Sequence, residues 1–108
     1  MYTWHKAEGL PENGPEENKP TEVTAGGKRI GLLLRQGKLH AFAALCPHAG
    51  APMCDGWIDG MGRIVCPLHK YRFDPANGRN TSGEGYKLYT YPCELRADGV
   101  YIGLISAN

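Results

Sequence analysis

Apolar residues along this chain come in short runs closed off by Gly, Pro, Asn or Asp, and nowhere does helical spacing persist over ten residues without Gly or Pro intruding. Thr21 to Ala25 and Lys28 to Arg35 flank Gly26-Gly27, a hairpin signal. Gln36-Gly37 then leads into Lys38 to Ala43 and extends the hairpin to a meander. Trp57 to Asp59 and Arg63 to Val65 flank Gly60-Met61-Gly62 as a further hairpin, and Asp74-Pro75-Ala76-Asn77-Gly78 reads as a tight turn. Leu88 to Leu95 and Val100 to Leu104 flank Ala97-Asp98-Gly99, with Asp-Gly a favoured hairpin turn. Tyr2 to Ala7 is a first strand of imperfect alternation, and residues 9–20, rich in Pro, Glu, Asn and Gly, form a surface loop. The pattern predicts an all-β fold of seven to ten short antiparallel strands. Two segments, Leu45 to Gly56 and Cys66 to Tyr71, are too crowded with Cys, His and Pro to be ordinary turns.

Length and composition agree with this pattern. The 108 residues suit one domain over 1–108 with a single modest core. Fifteen Gly and eight Pro favour a fold with many turns. Twelve Lys and Arg against eleven Asp and Glu leave a formal charge of +1, with neither sign in a block. Such a balance offers nucleic acid no basic face and a membrane no polybasic patch. The longest apolar run, Ile30 to Leu34, is interrupted by Gly31 and is too short to cross a bilayer. The first residues lack the basic start and apolar core of a signal peptide, and no lipidation box closes the chain, so the expected location is cytoplasmic. In a reducing compartment four cysteines point to metal rather than to disulfides.

The two crowded segments contain Cys46-Pro47-His48 and Cys66-Pro67-Leu68-His69, with 17 residues between His48 and Cys66. Each offers one thiolate and one imidazole, and the Pro after each Cys fixes φ and stiffens the loop before a metal arrives. Any one of these residues alone is more often a packing cysteine or an ordinary histidine than a ligand. All four in two matched loops are another matter. A structural zinc site is the competitor, since Cys₂His₂ is a common zinc set. Zinc fingers, however, place like ligands together, whereas each loop here mixes one Cys with one His. That arrangement suits a two-iron cluster in which one iron takes both Cys and the other both His.

These boxes, Cys46-Pro47-His48-Ala49-Gly50-Ala51-Pro52-Met53 and Cys66-Pro67-Leu68-His69-Lys70-Tyr71-Arg72-Phe73-Asp74, together with the stretch 27–41 before them, resemble the Rieske [2Fe–2S] family. The resemblance implies an antiparallel β base with a small cluster-binding subdomain of two loops at about 44–73. It implies one [2Fe–2S] cluster, with Cys46 and Cys66 on the inner iron and His48 and His69 on the outer, solvent-near one. The implied function is transfer of single electrons to or from a larger oxidoreductase, a reductase or an oxygenase, rather than catalysis by this chain alone. A Rieske oxygenase needs a further mononuclear iron site, and no His lies downstream of His69.

High-potential respiratory members of the family carry a Ser two positions after the last His, a Tyr four after it, and a disulfide between the boxes. The corresponding residues here are Tyr71, Phe73, Ala51 and Leu68, so the resemblance implies a low potential within the Rieske range of roughly −150 to +300 mV. Ring-dioxygenase ferredoxins usually place Gly directly after the last His, where this chain has Lys70. The stretch Lys70-Tyr71-Arg72-Phe73, followed by Gly78 and then Gly83 to Pro92, looks more like the small subunit of NAD(P)H-dependent nitrite reductases, whose large subunit is then the partner. Cys54 and Cys93 are expected to be packing residues, and His5 and His40 ordinary strand or surface residues.

Overall fold

A computed structural model describes residues 2–105. Ten strands run in chain order: β1 (Tyr2–Lys6), β2 (Thr21–Ala25), β3 (Lys28–Arg35), β4 (Lys38–Ala43), β5 (Trp57–Ile58), β6 (Ile64–Val65), β7 (Arg72–Phe73), β8 (Thr90–Tyr91), β9 (Cys93–Arg96) and β10 (Gly99–Ile105). Among the described residues the only helical element is one 3₁₀ turn, Met53–Asp55. The fold is all-β, as the residue pattern predicts.

The strands form three antiparallel sheets of order β1-β10-β9, β2-β3-β4-β8 and β5-β6-β7. Gly26 and Gly27 turn β2 into β3 with φ of 56° and 79°, both left-handed, as a two-residue hairpin requires. The single strand expected from Leu88 to Leu95 is two strands in two sheets. Pro92 has no amide to donate to a ladder and stands between them, while its carbonyl accepts the Gly103 amide at 2.8 Å. Thr90–Tyr91 therefore stays with β4, and Cys93–Arg96 leaves to pair with β10. The short strand β7 falls in a stretch the residue pattern leaves without one, and it completes the third sheet.

Side-chain alternation makes the middle sheet serve two cores. One face sends Val23, Ile30, Leu32 and Ala41 against Val100, Ile102 and Leu104 of the first sheet. The other sends Leu33 and Phe42 against Met53, Ile64, Phe73 and Leu88. Cys46 and Cys66 belong to this second core. The loops that bear them are thus anchored on a sheet that is itself backed by another.

Candidate metal centre

The two Cys-His loops repeat one backbone motif. In the first, the Cys46 amide donates to the Ala51 carbonyl at 2.7 Å and the Gly50 amide donates to the Cys46 carbonyl at 2.9 Å. In the second, the Cys66 amide donates to Tyr71 at 2.8 Å and the Lys70 amide to Cys66 at 3.1 Å. The residue four after each Cys is left-handed: Gly50 has φ of 73° and Lys70 of 60°. Each loop folds back on its own Cys, which points inward while the His stays outside.

Cys46 and Cys66 are 3% and 1% exposed, so both sulfurs sit on the buried side of the site. Burial pushes the Cys66 thiol above its ordinary range, the Leu68 amide opposes that by donating to the sulfur, and the Cys46 sulfur beside it raises it further. On the outer side His48 is half-buried and His69 exposed. Their rings lie 5.0 Å apart, and the two Nδ1 atoms face one another at 3.5 Å. Two imidazole nitrogens each about 2.1 Å from one tetrahedral metal ion would stand about 3.4 Å apart, a spacing these two nitrogens could adopt. Among the described residues no group of three or more His, Cys, Asp or Glu is placed around a single metal ion. The donors come instead as a buried sulfur pair and an outer nitrogen pair, which fits a two-iron cluster with one iron on each.

Packing behind the loops leaves little freedom. A Cβ at Gly56 would fall 1.7 Å from the Val65 carbonyl oxygen, so the end of the first loop lies directly on β6. Asp59 closes the β5–β6 turn, accepting the Met61 amide at 2.9 Å and the Arg63 amide at 3.0 Å. It also pairs with Arg63 at 3.1 Å and with Arg72 of β7 at 3.6 Å. Phe73 is fully buried in the core behind the two loops.

Beyond the four expected residues the structure brings two tyrosines to the site. Tyr71 stacks on His48, with ring centroids 4.3 Å apart and planes inclined by 27°. Tyr86 lies 5.3 Å from His48 and 5.8 Å from Tyr71. Tyr86 arrives on a Gly-rich loop pinned by Asn80, which accepts the Glu84 amide at 2.6 Å and donates to the Glu84 carboxylate at 2.9 Å and to the Arg72 carbonyl at 3.2 Å. Loss of hydration, and then the charge of Glu84, hold the Tyr71 hydroxyl above the usual tyrosine range. In the sequence the only sign of this group was a Tyr inside the second box and another directly after Gly83-Glu84-Gly85.

Cys54 packs against the loop core and Cys93 against the base core. Burial pushes their thiols up to about 12 and about 11. His5 lies on β1 and His40 on β4, and burial lowers the pKa of His40.

A family model for the Rieske [2Fe–2S] domain matches residues 4–92. The ferredoxin component of the naphthalene 1,2-dioxygenase system of Pseudomonas aeruginosa is 37% identical over 83 residues, covering 76% of this chain and 79% of that protein. Among solved structures, a Mycobacterium tuberculosis protein described as an NADH-dependent nitrite reductase small subunit superposes with a TM-score of 0.82 at 18% identity, covering 99% of both chains. A Sphingomonas yanoikuyae ferredoxin superposes with a TM-score of 0.79 at 24% identity, covering 93% of this chain and 99% of that one.

Proposed function

The chain belongs to the Rieske [2Fe–2S] family, and from that premise we propose that it is a low-potential electron carrier that exchanges single electrons with a larger oxidoreductase. In this reading Cys46, His48, Cys66 and His69 hold one [2Fe–2S] cluster. The segment at about 44–73 acts as its binding subdomain within a single β domain over 1–108. When bound, such a group supplies a one-electron couple whose potential is raised over Cys₄ clusters by the neutral imidazoles. The observation that supports the ligand set best is the 3.5 Å approach of the two Nδ1 atoms above a pair of buried cysteines.

The residues divide the work. Cys46 and Cys66 provide thiolates in the dry interior, and the Leu68 amide donates to the second of them. The outer imidazoles reach the surface, with His69 exposed, so a docking protein approaches the couple through a ring edge rather than through several layers of packing. No substrate-oxidising centre is part of this role. The naphthalene dioxygenase relatives are themselves the ferredoxin components of their systems, which supports this role. A reducing cytoplasm is the compartment that suits two cluster thiolates and two unbridged thiols, Cys54 and Cys93.

A second reading, the small subunit of an NAD(P)H-dependent nitrite reductase, is favoured by the end-to-end superposition on the mycobacterial subunit and by the 83–92 stretch. Anaerobic mixing separates the two. The reduced protein is added to an oxidised ring-hydroxylating oxygenase or to an oxidised nitrite reductase large subunit, and return of its visible bands is followed. Fast reoxidation by an oxygenase supports the ferredoxin reading, and by the nitrite reductase alone the second. A colourless, redox-silent protein overturns both.

A further inference from the structure

We infer that Tyr71 and Tyr86 are positioning residues for His48, forming an aromatic cap on one side of its imidazole that keeps water away and lowers the midpoint potential of the carrier. The inference rests on the Rieske reading above. Its basis is an asymmetry between two donors that the ligand set alone treats as equivalent. His48 has the Tyr71 ring stacked on it at 4.3 Å and Tyr86 tilted against it at 5.3 Å, whereas His69 is exposed and lies 6.3 Å from Tyr71.

The cap is built rather than incidental. Tyr71 belongs to the second loop, and its carbonyl accepts the Cys66 amide at 2.8 Å, so its backbone is fixed by the motif that places Cys66. Its ring nevertheless lies on the histidine of the first loop and clamps the two loops together. Tyr86 is delivered by the turn that Asn80 holds, and that turn is tied to β7 by the Arg72 amide donating to Ser82 at 2.9 Å. Ser82 and Glu84 hydrogen-bond to each other within the same turn.

The sign of the effect follows from charge. With two thiolates and two neutral imidazoles the oxidised couple is about neutral and the reduced one about −1. Water beside an imidazole stabilises the charged, reduced state, so excluding it favours the oxidised one. The electron-rich face of the Tyr71 ring acts in the same direction, because it disfavours added negative charge next to it. Both contributions lower the potential.

The test is a redox titration of the cluster-loaded protein, with EPR of the reduced state, for wild type, Tyr71→Ala, Tyr71→Phe and Tyr86→Ala. The cap predicts an upward shift of the midpoint and an altered g-anisotropy in Tyr71→Ala, and a smaller upward shift in Tyr86→Ala. Tyr71→Phe, which keeps the ring, is expected to retain the wild-type values. A Tyr71→Ala protein with wild-type potential and spectrum overturns the inference, as does a Tyr71→Phe protein shifted as far as Tyr71→Ala, which would assign the effect to the hydroxyl. If Tyr71→Ala does not load the cluster, the exposed Tyr86 decides: an upward shift supports the cap and an unchanged potential overturns it. A wild-type protein without a Rieske spectrum removes the family reading itself, a failure distinct from a normal spectrum that is insensitive to the tyrosines.

Discussion

His48 and His69 stand 21 positions apart in sequence, yet their Nδ1 atoms face each other at 3.5 Å. The approach is produced by repetition. Two loops with the same pair of backbone hydrogen bonds emerge side by side from one core, each turning its Cys in and its His out. Nothing in the pairing depends on a direct strand contact between the two histidines.

Lys70 is the strained member of this repeat. It occupies the left-handed position that Gly50 fills in the first loop, and a side chain with φ near 60° costs about 1 kcal/mol over Gly. Lys70→Gly is therefore expected to raise unfolding stability by about 1 kcal/mol, measured by denaturant titration of the loaded protein. Gly50→Lys is expected to lower it by a similar amount. A destabilised Lys70→Gly protein would show that the Lys side chain contributes more than its backbone costs.

Phe73 is buried without a hydroxyl, and Ala51 and Leu68 stand where respiratory proteins carry a disulfide. With no hydroxyl at Phe73, a ring at Tyr71 in place of the small Ser donor and no disulfide between the loops, the midpoint is expected in the lower part of the −150 to +300 mV Rieske range. A redox titration that places it above about +100 mV contradicts this.

Cys54 and Cys93 have thiols pushed up to about 12 and about 11 by burial. For Cys54 at pH 8 that leaves a thiolate fraction of about one in ten thousand, so alkylation of the folded protein is expected to be slow at this site. Cys54→Ala and Cys93→Ala are expected to keep full iron and visible absorbance, while Cys46→Ala and Cys66→Ala lose both. Loss of iron in Cys54→Ala would make that residue part of the centre.

Asp59 supplies a pH dependence whose sign is determined. Partial burial works against its charge, but the Arg63 and Met61 amides and the Arg63 guanidinium outweigh it and hold the carboxyl below its ordinary value. A lowered carboxyl stabilises the fold fully above the unfolded value of about 3.9 and ceases to do so as pH falls through the lower folded value. Asp59→Asn is expected to lose about 1 kcal/mol at neutral pH and to show a flatter acid limb in thermal melts. An acid limb identical to wild type would remove Asp59 from that role.

Much of this molecule was legible in its residues, for physical reasons. Hairpins closed by Gly-Gly and Gln-Gly pairs are local, so β2, β3 and β4 have the bounds that the turn residues imply. The ligand candidates were legible because two matched Cys-His boxes have few other uses. The division of 88–95 between two sheets was not, since it depends on which partner strand lies on each side of Pro92. The aromatic cap was hidden for the same reason: Tyr71 and Tyr86 meet His48 only through folding of three separate loops. Lys70 showed in the sequence as a departure from the ferredoxin pattern, but its φ gives that departure a meaning.

Whether Cys46, His48, Cys66 and His69 hold one [2Fe–2S] cluster is decided by pulsed EPR of the reduced protein with ¹⁵N-labelled histidine, paired with iron and acid-labile sulfide assay. Two irons and two sulfides per chain are expected, with two histidine nitrogens coupled to the unpaired electron, and loss of one coupling or of the cluster in His48→Ala and in His69→Ala. Stoichiometric zinc without labile sulfide, or an iron–sulfur signal with no nitrogen coupling, would contradict this ligand set.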